Sequence, residues 1–437
     1  MGVGVAAMIA AGCASAQVAP PLPAPPAAPA PVVATPADAW PSAGVARARG
    51  LVDTLASAAL AGRGYLGWDG AGVAAEWMSM RLNRVPNVRP IGDESRQSFL
   101  FPARVVEQAG VEVDGQRLTL GVDVLPLGVR RGQRPAEGSH DGASGPLCAA
   151  DAARAGCVAV MDGGDAHARI DEAARRGAIG AVVLADALPP HDPAGVAPAV
   201  PSVVVRRAAW PEGARTVRIE MLSNVGTTVG TNVVATIRGS AVPDSFVVVT
   251  AHLDHLGRID DLFGGPPAIF GGANDNASGV AAALALADTL ARRPLRYTTV
   301  IALTGGEEHG LYGATVLVRD PLWPLDRTRL VVNLDMVASG ETGIGVFGAA
   351  EQPAVFAAMQ AIATQQTLGP LSGRAMRPNS DQYPFHAAGV PAVYLLTLGG
   401  RQPYHSVADV PETLEWDDWA RVVALAHATL RHVTGGN

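Results

Sequence analysis

The chain has 437 residues, 48% of them hydrophobic, which is enough apolar material for about two to three globular domains of roughly 100–200 residues each. Forty acidic side chains stand against 33 basic ones, all arginine, for a formal charge of −7. No basic block offers a groove for nucleic acid, which argues against partners of that class.

Gly2 to Ala11 are small and apolar. About ten such residues fall short of the ~20 that a membrane-spanning helix needs, so the stretch reads as the hydrophobic part of an export signal, although no positive start precedes it. Two processing readings compete over residues 1–17. Ala10-Ala11-Gly12-Cys13 resembles a bacterial lipoprotein box with Cys13 acylated, the reading favoured here, whereas Ala14-Ser15-Ala16 fits an ordinary signal-peptidase site. Either way the expected location is outside the cytoplasm, lipid-anchored in the cell envelope, periplasmic or secreted, with the membrane touched only through that lipid. Residues 18–44 are proline- and alanine-rich and almost uncharged, the composition of a semi-rigid tether. With Cys13 lipidated, Cys148 and Cys157 remain as candidates for a disulfide in an oxidising compartment, against the alternative of two buried thiols.

From 45 to 83, apolar residues at helical spacing predict two helices split by the glycine-rich "GRGYLGWDG". Between 106 and 222 the texture changes to short valine-rich runs such as "GCVAVMDGG" and "PSVVVRR", with "HARIDEAARRG" as a helix between them, the pattern of a small α/β domain. After 230, strands are predicted at 231–238, 245–251, 298–304, 330–336, 344–348 and 391–397. Helices are predicted at 278–292, 310–319, 353–366 and 415–433, the first capped by Ser278. Near-continuous Val, Ile and Leu strands alternating with helices predict an α/β fold, a mainly parallel central sheet covered on both faces.

Ligands gather beyond the carboxyl ends of such strands. His252 and Asp254 stand there in "TAHLDHLG", Asp275 in "GGANDNASG", Glu307 and Glu308 in "LTGGEEHG", Asp335 in "VVNLDM" and His405 in "PYHSVAD". Buried charges cost several kcal/mol each unless paired or bound to metal, which makes this set poor core material and good metal-binding material. Mixed imidazole and carboxylate ligands suit zinc, with manganese or cobalt as alternatives. Five ligands including a shared carboxylate exceed what one open tetrahedral zinc accepts, so two ions about 3.5–4 Å apart fit better. Asp254 stands two residues from His252, in position to accept its other ring N–H. Of Glu307 and Glu308, one carboxylate can ligate while its neighbour takes a proton from metal-bound water. His255 and Asp381 read as structural or outer-sphere residues.

Together "AHLDHLG", "GANDNASG", "GGEEHGLYGA", "VNLDM", "SDQYPF" and "YHSVAD" resemble the M28 family of metallopeptidases, the co-catalytic zinc aminopeptidases. The resemblance spans roughly 225 to 435 and reaches back to "LVDTLASAALAGRG". It implies a zinc-exopeptidase-like three-layer sandwich with its core in 45–105 and 223–437, and the stretch 106–222 is similar to an inserted protease-associated (PA) domain. It further implies that Asp275 bridges two Zn2+ ions, with His252 and Asp335 on one and Glu308 and His405 on the other. Glu307 would be the general base, Asp254 would orient His252, and the Asp275–Asn276 peptide would be cis. The implied activity is removal of N-terminal residues from peptides. A carboxypeptidase or amidase of the same fold and a catalytically silent binding protein are the alternatives. Asn274 departs from the aspartate frequent there, and Arg377 and Asn379 stand where some relatives carry an oxyanion-stabilising tyrosine. The HExxH zincin helix is absent, and the seventy positions from Asp335 to His405 leave no room for the lid domain of M20-type enzymes.

Overall fold

The computed structural model describes residues 42–435 except 67–68, 128, 131–138, 164–165, 193–195 and 401–402. Cys13, the signal segment and almost all of the tether lie outside the described residues. In chain order the strands that position the site are β1 (Arg96–Val113), β2 (Ser139–Ala149), β3 (Val158–Asp162), β4 (Gly180–Ala185), β5 (Ser202–Arg206) and β6 (Thr216–Ile237). They are followed by β7 (Val242–His252), β8 (Tyr297–Thr304), β9 (Thr328–Leu334), β10 (Gly343–Phe347), β11 (Leu371–Arg374) and β12 (Ala392–Leu398). Helices are α1 (Ser42–Leu55), α2 (Gly70–Asn83), α3 (Ala166–Arg175), α4 (Gly279–Arg292), α5 (Tyr312–Arg319), α6 (Pro353–Gln365), α7 (Gln382–Ala387) and α8 (Trp416–Val433).

The central sheet runs β6-β8-β7-β9-β12-β10-β11. Its four middle strands, β8, β7, β9 and β12, are mutually parallel, while β6 and β10 join antiparallel on either flank. Side chains alternate faces along a strand, and both faces here are apolar. Val247, Val249, Ile301, Leu303, Leu330 and Val332 pack with α1, α2, α4, α6 and α8 on one side. Val248, Val300, Ala302 and Val331 pack with Leu317 of α5 and Phe385 of α7 on the other. The result is helix, sheet, helix, with α4 buried almost throughout.

The middle stretch builds its own sheet. β2, β3, β4 and β5 run parallel in that order, and β2 also pairs antiparallel with the first half of β6. α3 packs Ile170 and Ala173 against one face, where Cys148 and Cys157 form a disulfide. β1 and β6 are long strands paired antiparallel from Val217↔Val113 to Val233↔Arg96, with one register shift at Leu222/Ser223. Each therefore belongs to both sheets, and positions 106 and 222, where the composition changes, fall inside continuous strands. Among the described residues no helix is long and apolar enough to cross a membrane.

Candidate active site and metal centre

The parallel strands deliver their last residues to one place. His252 is the final residue of β7, Asp335 follows β9 directly, and Glu307 and Glu308 lie in the turn after β8. Asp275 arrives from the segment that leads into α4, and His405 from the loop between β12 and α8. His252 Nε2 lies 3.1 Å from Asp275 Oδ1 and 3.3 Å from Asp335 Oδ1. His405 Nε2 lies 3.3 Å from Asp275 Oδ2 and 3.0 Å from Glu308 Oε2. The two oxygens of Asp275 thus face two different histidines. Sets of one ligand atom each from His252, Asp275 and Asp335, from His255, Asp275 and Glu308, and from His252, Glu307 and Glu308 lie within 4.8 Å of one another.

The electrostatics favour a cation. Burial opposes the charge on His405, yet Glu308 and Asp275 raise its pKa to about 11. Burial and Asp275 push Glu308 up, but His405 and His255 outweigh them and hold it at about 2. The pocket therefore stabilises positive charge between carboxylates, and two imidazoles with three carboxylates are the donor set of a zinc-type ion. These residues fit a metal. Glu307 differs: burial first, then Glu308, Asp335 and Asp381, raise its pKa well above the usual carboxylate range.

Supporting contacts fix each group. Asp254 acts differently from expectation. The Nδ1 of His252 faces the backbone carbonyl of Asp254 at 3.1 Å, while the Asp254 carboxylate accepts the N–H groups of Glu307 and Glu308 at 3.2 and 3.4 Å. Two residues of strand end bring that carbonyl under the ring and turn the carboxylate toward the glutamate turn. His255 Nδ1 lies 2.6 Å from Glu308 Oε1, behind the oxygen that faces His405. Asn333 donates to Ser380 Oγ, which donates to Asp335 Oδ2, both at 2.7 Å. Asp381 is buried against the hydroxyl of Thr304 at the end of β8, a role within the scaffold.

The Asp275 segment is held from both sides. Asp409 accepts the N–H groups of Asn274 and Asp275 at 2.8 and 3.0 Å, and the Arg63 guanidinium donates to the carbonyls of Gly271, Gly272 and Asp275. The Asp275–Asn276 peptide is cis. Asn274 donates to Ser339 Oγ at 2.6 Å and accepts from Ala338 N–H at 3.0 Å, and its donor is one that an aspartate would lack. Ser278 does not cap α4. Its φ and ψ of −63° and −45° are already helical, its hydroxyl donates to the Asn274 carbonyl, and Asn276 Oδ1 accepts the Gly279 N–H instead. Arg63, Asp409, Ser380 and His191 are the contributors that the sequence pattern missed. Arg63 and Asp409 lie in motifs already quoted, "LAGRG" and "YHSVAD", whereas nothing marks His191.

Beside Glu307 and Glu308 opens a cleft of about 450 Å3, walled by Leu311, Asn379 and Tyr404 on one part and by Pro190, His191 and Asp192 of the middle stretch on the other.

Residues 232–430 match the model of peptidase family M28. This segment is an M28 peptidase domain. A protein described as a probable zinc metalloprotease of Leptosphaeria maculans is 41% identical over 109 residues, 25% of this chain and 24% of that one. One of Pyricularia oryzae is 39% identical over 108 residues, 25% and 21% of the two chains. The match thus spans about a quarter of the length of these curated relatives. A zinc aminopeptidase from Bacillus subtilis superimposes with a TM-score of 0.63 at 20% identity, covering 88% of this chain and 94% of that one. A peptidase M28 precursor from Shewanella amazonensis gives 0.61 at 18%, covering 90% and 96%. At those identities the likeness is one of fold, and it extends beyond the M28 domain into the N-terminal and middle segments.

Proposed function

We propose that the chain is a two-zinc aminopeptidase that hydrolyses the first peptide bond of its substrates. The observation that carries this reading is Asp275, whose two carboxylate oxygens point at two separate imidazoles, each backed by a further carboxylate. Asp275 would bridge the ions, with His252 and Asp335 on one and Glu308 and His405 on the other. The Bacillus subtilis neighbour is a zinc aminopeptidase and the fungal relatives are described as probable zinc metalloproteases, which supports zinc and peptide hydrolysis.

Zinc bound here supplies Lewis acidity for the scissile carbonyl and acidifies the attacking water. With zinc bound, Glu307 would take the proton from the water as its oxygen adds to the scissile carbonyl, and would return it to the amine released when the C–N bond breaks. Its carboxylate lies with ligand atoms of His252 and Glu308 within 4.8 Å, close enough to reach a water held at the centre. Asp254 fixes the turn from which both glutamates project, and His255 holds Glu308 in one orientation. The cleft beside Glu307 receives the peptide. The segment around Cys13 and the disulfide support an exported protein, and "AARRGAIGAVVLADA" supports a protease-associated identity for the middle domain.

Glu307→Gln should keep both zinc ions and lose about 10²–10⁴ in kcat on leucyl, alanyl or arginyl anilides. Zinc analysis beside initial rates checks this, and an unchanged kcat removes Glu307 from the reaction. Hydrolysis of N-terminally blocked peptides at rates equal to free ones would remove the aminopeptidase assignment.

A further inference from the structure

One histidine of the centre takes its second hydrogen bond from outside the M28 domain. His405 turns Nε2 toward Asp275 and Glu308, and its Nδ1 lies 2.7 Å from the carbonyl oxygen of His191, 214 positions away in sequence. A carbonyl only accepts, so Nδ1 carries the proton and Nε2 is the nitrogen offered to a cation. The contact is reciprocal, because the His191 N–H donates to the His405 carbonyl at 2.9 Å. The His191 ring is buried and stacks on Phe270 at 5.0 Å, which fixes the backbone from which that carbonyl projects. His252 is served differently, by the carbonyl of Asp254 on its own strand end. The two imidazoles are therefore oriented by different parts of the molecule.

We propose that the middle domain is a working part of the metal centre. The segment 190–192 holds His405 in its metal-binding tautomer, and His191 is a positioning residue acting through its main chain. One of the two ions then depends on the inserted domain, while the ion on His252 and Asp335 does not. This rests on the two-ion reading above. Loss of the partner of a ligating imidazole typically weakens metal binding by about 10–100-fold.

The test replaces Pro190-His191-Asp192 by three glycines in the full chain and titrates zinc against a chromophoric chelator. His405→Ala serves as the benchmark for loss of that ion, and circular dichroism reports folding. The expected result is one ion bound as in the unaltered protein and the other weakened about 10–100-fold, with a matching rise in the zinc needed for half-maximal hydrolysis. General damage to the fold would weaken both ions, and that outcome overturns the proposal, as does a folded variant with both affinities unchanged. Should the triple variant not fold, His191→Ala, which removes the ring stacked on Phe270, is expected to weaken the same ion several-fold. Two unchanged affinities in that variant again overturn it. If the unaltered protein takes up fewer than two zinc ions, it is the two-ion reading that fails.

Discussion

Arg63 is fully buried and spends all five of its N–H groups on backbone carbonyls. Nε donates to Leu253, Nη1 to Leu55 and Gly271, and Nη2 to Gly272 and Asp275. Burial lowers its pKa to about 10 while Asp409 and Asp275 hold it up, so the group stays charged at neutral pH. It ties the N-terminal segment to the loops that carry His252 and Asp275. Arg63→Met leaves these carbonyls without donors, at about 1–3 kcal/mol for each one that cannot reach water. Thermal melts should place the variant on the order of 3–5 kcal/mol below the parent, and a melt within a degree of it would refute this account. The candidate ligands could be found in the sequence because metal binding demands particular side chains. The role of Arg63 could not, because its partners are main-chain oxygens that any residue carries. The same blindness explains Asp254, whose main-chain carbonyl faces the His252 ring in place of the carboxylate expected there.

Helix α4 enters the centre of the fold through a close approach to β9. A Cβ on Gly279 would stand 2.2 Å from the Leu334 carbonyl and 2.2 Å from Asn276 Oδ1. Gly279→Ala must push α4 away from β9, next to Asp335, so stability and catalysis should fall together. About 1–3 kcal/mol in urea unfolding is expected, with a drop in kcat/KM beyond what the unfolded fraction explains. The helices at 279–292, 353–365 and 416–433 and four of the strands between them, β8, β9, β10 and β12, were legible to within a few residues, since long apolar runs and their breaks report burial directly, whereas the short, exposed β11 was not. The entry to α4 was misread. "NASG" has the letters of a cap, yet residues 273–278 form a wide turn in which Ser278 is already helical, and Asn276 supplies the cap.

At the scale of the whole molecule, the carboxylates of Asp275, Glu308 and Asp335 gather around His252 and His405 at the carboxyl edge of one sheet. An ion bound only in the folded state stabilises it by about 2.7 kcal/mol at a free concentration 100 times its Kd. Dialysis against a chelator should therefore abolish hydrolysis and lower the melting temperature by several degrees, and added zinc should restore both. A melting temperature indifferent to chelation would mean that these groups hold no structural ion. The layered architecture was legible because strands buried on both faces are apolar without alternation. The joining of the two sheets was not. Composition changes at 106 and 222 because the surroundings change there, while β1 and β6 continue through.

That continuity has a mechanical consequence. A sheet slung on loops can swing, but the middle sheet is carried on a two-stranded girder whose rungs run from Val217↔Val113 to Val233↔Arg96. Pro190 and Leu311 stand on the two walls of the cleft, and the one irregular step of the girder is at Leu222/Ser223. The two walls of that cleft are thus joined through continuous β-strands.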